Sequence, residues 1–361
     1  MAVQELRFPG VTVFEAGAID RLNAMLPPQV PLLLVAGRHA AGLIEERIIP
    51  KLAGRRYALA GAITPELPLA DVEAALAAGR AIGAGAVAAI GGGSVLDAGK
   101  TAAALLPRPE IALKDCFYGR TPVPGKGAFF LAAPTTAGTG SEMTPNAVLL
   151  DPATGVKQSI RHPAMLPDVA LIDPRLTDTC SPEVTAASGF DALTQAIESL
   201  ISSRATAFTK SLAKQAIELI FGNLKGAYAG DRESRDHVAE GSMLGGMAFA
   251  HSGLGAVHGL AHPAGSLLHL AHGKVCATLL IPVLRRNAAA LDRETGGRAE
   301  AMTAELAQLR SELGLADRFG VELTPDQRRF ILDNCRSGSM KCNPVAFSDA
   351  DLEAIIEEVF R

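Results

Sequence analysis

The chain has no run of about 18 uninterrupted apolar residues, the length a membrane-crossing helix requires, and its first residues, MAVQELRFPG, lack the basic-then-apolar pattern of a secretory signal. The expectation is a soluble, unexported, cytoplasmic protein. Lysine and arginine form no cluster, and the net charge is -4 with a pI near 6.1. A nucleic-acid footprint and a polybasic membrane surface are therefore not indicated, which leaves small molecules as the expected partners. The five cysteines (116, 180, 276, 335 and 342) contain no CxxC and are too few and scattered for a disulfide framework, in keeping with a reducing cytoplasm. Cys276 reads first as a packing residue. There is no tryptophan, no internal repeat and no low-complexity tract, so packing falls largely to Ala, Leu and Gly.

What is present is a dense globular chain, 361 residues long, 48% hydrophobic and 20% charged, with a mean hydropathy of +0.22. That length exceeds a usual single core and allows two domains. The first half alternates short apolar runs, PLLLVAG at 31–37, AVAAI at 86–90 and FFLAAP at 129–134, with helical patterns near 40–53 and through DVEAALAAGRAIGAG. Such alternation predicts βα units around a parallel sheet. From about residue 176 the texture changes to Ala/Leu-rich periodic segments, 182–203, 206–228, 235–268, 274–290, 297–313 and 348–360, which predict a helical second domain. Ser181-Pro182-Glu183 opens it with a capping serine, a proline at the first helical position and an acidic first turn. The expected division is 1–175 for an α/β nucleotide-binding domain and 176–361 for a helical domain. PDVALIDPRLTD serves as the candidate hinge and domain boundary because two prolines interrupt its periodicity. DPATGVKQ at 151–158 reads as a hairpin turn.

Two glycine-rich stretches follow strands. Ile90 is succeeded by Gly91-Gly92-Gly93-Ser94-Val95-Leu96-Asp97-Ala98-Gly99-Lys100 and then by helix, while FFLAAP runs into Pro134-Thr135-Thr136-Ala137-Gly138-Thr139-Gly140-Ser141-Glu142. Glycines there let backbone amides approach a pyrophosphate, and the following helix N-terminus adds partial positive charge. The first stretch is neither GxGxxG nor a P-loop, and alone it could be only a tight strand-to-helix turn. Two such loops beyond the carboxyl ends of strands point to nucleotide binding.

The helical half carries metal-capable side chains at helical spacing. Asp191 and Gln195 lie four residues apart in GFDALTQAIES, as do His258 and His262 in GAVHGLAHPAGS, and His272 follows in LAHGKV. Each pair shares a helix face. Any one of these histidines could be an isolated, hydrogen-bonded core residue, but the set together makes a divalent cation site the sharper reading, with imidazole and carboxylate suiting zinc, iron or manganese.

GGGSVLDAGK, PTTAGTGSE, LIDPRLT, GFDALTQAIES, GAVHGLAHPAGS and HGKVCATLLIP together resemble the iron-containing (group III) alcohol dehydrogenase family of the dehydroquinate synthase-like superfamily, in that family's order and over nearly the whole chain. The resemblance implies a Rossmann-like dinucleotide domain, a helical metal-binding domain and an active-site cleft between them. It implies a metal-assisted hydride transfer between the nicotinamide of NAD(P) and a small alcohol or aldehyde. Gly91, Gly92, Gly93, Ser94, Asp97, Thr135, Thr136, Thr139, Ser141 and Lys157 would serve the cofactor, with Leu176 near the nicotinamide. Asp191, His258 and His272 match metal ligands. His262 matches the histidine beside the metal and is the candidate for proton exchange, with an apolar pocket expected around Phe249, Leu254 and Val257. His251 and His269 receive no role.

Two departures stand out. The family's fourth ligand, a histidine, is replaced by Gln195, a neutral and weak oxygen donor. Related glycerol dehydrogenases hold zinc with one aspartate and two histidines, so Fe²⁺ or Zn²⁺ remains the expectation. Second, strict NAD members usually end the second strand on an acidic residue, where this chain has Gly37 followed by Arg38. A 2′-phosphate is then not repelled and could be paired, which favours NADP over NAD, unless Arg38 is only a solvated loop residue. Three competing readings remain: a metal-free reductase of an organic acid, of the maleylacetate reductase kind, with Arg161 holding a carboxylate; a dehydroquinate synthase-like lyase; and a catalytically dead binding protein. Asp191 argues against the first, since maleylacetate reductases carry asparagine there. The lyase would need a Lys/Arg cluster, and none lies near His258 to His272. The retained metal-capable set argues against the third. An apolar helical domain with an exposed N-terminal strand makes a homodimer the expected assembly.

Overall fold

A computed structural model describes residues 5–336 and 338–360. One compact unit is built from the chain up to Thr136 together with Gly140–Thr179, and the other from Ala137–Thr139 together with the chain from Cys180 onward.

The first unit is a six-stranded parallel sheet in the order β1-β8-β5-β4-β2-β3, with β1 Val11–Phe14, β2 Leu32–Gly37, β3 Tyr57–Ile63, β4 Ala86–Gly91, β5 Phe129–Pro134 and β8 Val169–Ile172. The central strands are continuous apolar runs because both faces are covered, as parallel sheets require. Side-chain alternation sorts them: Leu33, Val35, Val87, Ala89 and Phe130 enter one core, whereas Leu32, Leu34, Ala88, Ile90 and Leu131 enter the other. Helices α1 (Leu69–Ala81) and α2 (Gly93–Leu105) cover the first of these faces. A two-stranded antiparallel hairpin, β6 Asn146–Asp151 with β7 Val156–Arg161, carries the turn expected at 151–158. Register places Gly91 opposite Pro134 and Ile90 opposite Ala133, so the two glycine-rich loops leave adjacent strands from the same edge.

The second unit is helical: α3 Pro182–Ile201, α4 Ala207–Tyr228, α5 Arg232–Ser252, α6 Ala256–Leu268, α7 His272–Arg286, α8 Ala288–Thr295, α9 Ala299–Glu312, α10 Pro325–Cys335 and α11 Asp349–Val359. The Ser181 hydroxyl accepts from the Val184 amide and starts α3 as its sequence proposes. From Thr185 onward nearly every residue of α3 is buried, which makes it the hub of this core.

The structure departs from the sequence reading in five places. The segment 235–268 is two helices, because Gly253 takes a left-handed φ of 73° and ends α5. The segment 274–290 divides at Asn287 into α7 and α8. The helical pattern near 40–53 is a series of short 3₁₀, α and π turns. PDVALIDPRLTD contains β8, a buried strand paired with β1 and β5, rather than a free hinge. Helix α10 escaped periodicity, although Thr324 and Gln327 form a capping box ahead of it. Among the described residues no helix is long and apolar enough to cross a membrane.

Candidate metal centre and cofactor loops

In the helical unit, Asp191, His258, His272 and Cys276 each place one donor atom within 4.8 Å of the others. Asp191 comes from the middle of α3, His258 from the first turn of α6, and His272 and Cys276 from consecutive turns of α7. Asp191 Oδ1 stands 3.3 Å from His258 Nε2 and 3.8 Å from His272 Nε2. Gln195, one turn beyond Asp191, donates from Nε2 to Asp191 Oδ2 at 3.1 Å.

The orientation of His258 is fixed by a residue that sequence reasoning left unassigned. Glu198 Oε2 accepts from His258 Nδ1 at 2.7 Å, which leaves Nε2 facing Asp191, and Oε1 accepts from the Val257 amide at 2.6 Å. Glu198 thus both orients the imidazole and neutralises the positive end of α6. Gly255 makes this approach possible, since a Cβ there would sit 2.9 Å from Glu198 Oε1. The signal was present in GFDALTQAIES: Asp191, Gln195 and Glu198 recur at one helix face.

This arrangement fits a cation. Gln195 Oε1 is buried and lacks a hydrogen-bond partner, and buried Asp191 Oδ1 makes no well-formed hydrogen bond but faces His258 Nε2 and His272 Nε2, a set of donor atoms that a cation would complete. Burial works against charge on His258, yet Cys276, Glu198 and Asp191 outweigh it and raise its pKa well above the ordinary histidine value. For Asp191, burial would raise the pKa, but His272 and His258 outweigh burial and hold it below the usual carboxylate value. His262 is exposed, with its ring stacked on that of His272 at 5.4 Å between centroids and 6.3 Å from that of His258. Val257 lies wholly in the core, while Phe249 and Leu254 are half-buried. His251 is buried, with Nδ1 on the Met247 carbonyl.

In the sheet unit, Gly92 caps α2 and Gly93 begins it, directly after β4. A Cβ on Gly91 would lie 2.6 Å from Val95, so glycine there is demanded by the tight strand-to-helix turn. A Cβ on Gly92 would meet only Thr136 at 3.5 Å, which leaves its amide side approachable beside the helix N-terminus. Ser94 lies in the first turn of α2, and Thr135 donates its amide to the Gly91 carbonyl at 3.0 Å, which ties the two loops together. Thr139 belongs to the short Ala137–Thr139 segment of the helical unit, where Gly138 packs on Ser188. Asp97 and Ser141 are engaged within the protein: Asp97 accepts from the Ser141 hydroxyl at 2.6 Å and the Val148 amide at 2.8 Å, and Ser141 accepts from the fully buried Lys100 at 2.6 Å. Lys157 pairs with Glu66 at 3.0 Å, and Leu176 is buried in the sheet core. Gly37 ends β2, where a Cβ would press on Val95 at 3.3 Å, and the exposed Arg38 follows.

The chain matches two family patterns in succession, iron-containing alcohol dehydrogenase over residues 9–174 and the C-terminal region of the Fe-containing alcohol dehydrogenase family over residues 185–321. It is 42% identical over 221 residues to the probable alcohol dehydrogenase EutG of Salmonella typhimurium, an alignment covering 61% of this chain and 55% of that protein. The chain thus spans about half the length of this curated relative. Crystal structures match over almost the whole of both chains: a 1,3-propanediol oxidoreductase (TM-score 0.91, 28% identity, 99% of this chain and 100% of that one) and the sulfoacetaldehyde reductase of Bifidobacterium kashiwanohense in complex with NAD⁺ (0.91, 26%, 99% of each). With two family patterns in order over most of its length, the chain belongs to the iron-containing alcohol dehydrogenase family.

Proposed function

We propose that this protein is an NAD(P)-dependent, metal-assisted alcohol dehydrogenase that also works as an aldehyde reductase. The observation that carries the reading is the Asp191–His258–His272 cluster, with Asp191 and His258 buried, His272 half-buried and both imidazole Nε2 atoms turned toward Asp191 Oδ1, in a chain whose relatives are named as an alcohol dehydrogenase, a diol oxidoreductase and an aldehyde reductase. Asp191, His258 and His272 would hold a divalent ion, Fe²⁺ or Zn²⁺, with Gln195 beside them. Such an ion supplies Lewis acidity toward a substrate oxygen.

The remaining work falls to side chains and backbone. Glu198 keeps the His258 Nδ1 proton in place and turns Nε2 toward Asp191, where a bound ion would take the place of the proton on Nε2. Gly92, Gly93, Ser94, Thr135 and Thr136 would seat the cofactor pyrophosphate at the start of α2. A bound nicotinamide cofactor would supply the hydride for reduction, and a ring nitrogen of His262 would give the substrate oxygen its proton and take one back from solvent. Solvent access of His262 and its stacking on His272 support that role. Gly37 at the end of β2, with Arg38 next to it, offers no acidic group to repel a 2′-phosphate, and we assign NADP as the preferred cofactor. The sheet edge at β1, with Val11 and Phe14 exposed, is where a second copy would pair to form a homodimer.

The test is oxidation of NADPH and NADH with short and aromatic aldehydes, by native protein and by protein stripped with a chelator and refilled with Fe²⁺ or Zn²⁺. Activity lost on stripping and regained with one metal supports the reading. Activity indifferent to metal refutes it in favour of a metal-free reductase.

A further inference from the structure

Cys276 lies one turn after His272 on α7 and shares its face. Its sulfur stands 3.5 Å from His272 Nε2 and 3.9 Å from His258 Nε2, while Asp191 Oδ1 is 3.3 Å and 3.8 Å from the same two nitrogens. Donors held at about 2.0–2.3 Å around a tetrahedral ion stand roughly 3.3–3.8 Å from one another. Three of these four separations fall in that range, the fourth is 3.9 Å, and all four donor atoms lie within 4.8 Å of one another, so the sulfur stands where a fourth donor would sit. Gln195, the residue at the family's fourth-ligand position, donates its amide nitrogen to the outer oxygen of Asp191, and its remaining Oε1 is a neutral oxygen, a weaker donor for a soft ion than the Cys276 sulfur.

We propose that Cys276 is the fourth protein ligand of the metal centre, supplied by α7 in place of the donor that α3 lacks at Gln195, and that its sulfur makes the site a zinc site. The inference rests on the metal centre proposed above and specifies its donor set. Gln195 becomes a positioning residue for Asp191. On binding, the Sγ–H bond breaks, the proton passes to solvent and a sulfur–metal bond forms, with no change of oxidation state. A soft thiolate beside two imidazoles and one carboxylate favours zinc over Fe²⁺, in the same sense as the intrinsic order of divalent affinities. The other four cysteines, 116, 180, 335 and 342, stand outside this cluster.

Cobalt(II) tests this without reference to turnover. Full-length protein stripped of metal and loaded with Co²⁺ is expected to show the visible bands of a four-coordinate ion together with a near-ultraviolet sulfur-to-cobalt charge-transfer band. Cys276→Ser should lose the charge-transfer band and bind zinc about tenfold or more weakly, whereas Gln195→Ala should keep the band. X-ray absorption of zinc-loaded wild type, which needs no variant to fold, should show one sulfur at about 2.3 Å. Visible bands without the charge-transfer band, a band that survives Cys276→Ser, or a zinc shell free of sulfur would each overturn the proposal while leaving the metal centre intact. A chain that takes up neither Co²⁺ nor Zn²⁺ would overturn the metal centre, and this ligand set with it.

Discussion

Glu198 offers a prediction that separates metal binding from folding. Its carboxylate is 1% exposed and serves two donors at once, His258 Nδ1 at 2.7 Å and the Val257 amide at 2.6 Å. Glu198→Gln keeps the volume but has a single acceptor oxygen, so one of those two donors must face an NH₂ group. A hydrogen bond to a charged partner contributes about 1.5–3 kcal/mol. Loss of the carboxylate also makes His258 a poorer donor, and substitutions of this kind typically weaken metal affinity by about 10–100-fold, or about 1.4–2.7 kcal/mol. Glu198→Gln should therefore remain folded, bind zinc weaker by that factor in competition with a chromophoric chelator, and regain activity in excess metal. Glu198→Ala should in addition destabilise the metal-free protein by about 1–3 kcal/mol, since the Val257 amide is left buried without an acceptor. Wild-type zinc affinity in a folded Glu198→Gln protein would refute the assignment of Glu198 as the residue that orients His258.

Burial pushes the Glu142 carboxyl from 4.5 up to about 7, with a backbone hydrogen bond and the Lys100 charge offsetting only part of the effect. The folded state then keeps a proton that the unfolded chain releases, so stability is fullest below the unfolded pKa and declines as pH rises through the window between those two values, by about 3 kcal/mol in all. Urea unfolding across that window should show the decline in wild type and a flatter profile in Glu142→Gln; parallel profiles would contradict it. At Gly273, a Cβ would lie 2.1 Å from the Ala187 carbonyl oxygen, so Gly273→Ala should cost about 2 kcal/mol and, by shifting His272, reduce zinc affinity in the same titration. Undisturbed affinity would mean that α7 accommodates the methyl without moving its first turn. His262→Ala should keep its metal and lower aldehyde reduction by about 100-fold with an altered pH profile; an undiminished rate across pH would discard the proton-transfer role.

The parts of the fold legible in the sequence were those whose environment is uniform. LLLVAG, AVAAIG and FFLAAP are buried on both faces and read as strands from their apolar runs alone. β3 is an edge strand whose burial alternates, and β8 is four residues bounded by loops with prolines, so neither gives a strong run. The break between α5 and α6 depends on the left-handed backbone at Gly253, which periodicity over 235–268 smooths away. At the proposed metal centre, Asp191, His258 and His272, which the fold brings together, stand out in the sequence as metal-capable polar residues among Ala and Leu. The place of Cys276 beside this cluster was obscured for the opposite reason: a cysteine in VCATLL is indistinguishable from core until its position relative to His272 is known. Asp97 and Ser141 show the converse case. In a glycine-rich loop they read as cofactor contacts, and the structure adds what the sequence did not show, that the buried Lys100 and the Val148 amide hydrogen-bond them inside the sheet unit.

The most direct test of the central claim is the fate of the transferred hydrogen. With NADPH deuterated at nicotinamide C4 on one face and a short aldehyde as substrate, mass spectrometry of the alcohol should find one deuterium on the carbinol carbon from one of the two labelled faces and none from the other. An alcohol free of deuterium from both labels, or label released into water, would contradict direct hydride transfer between nicotinamide and substrate.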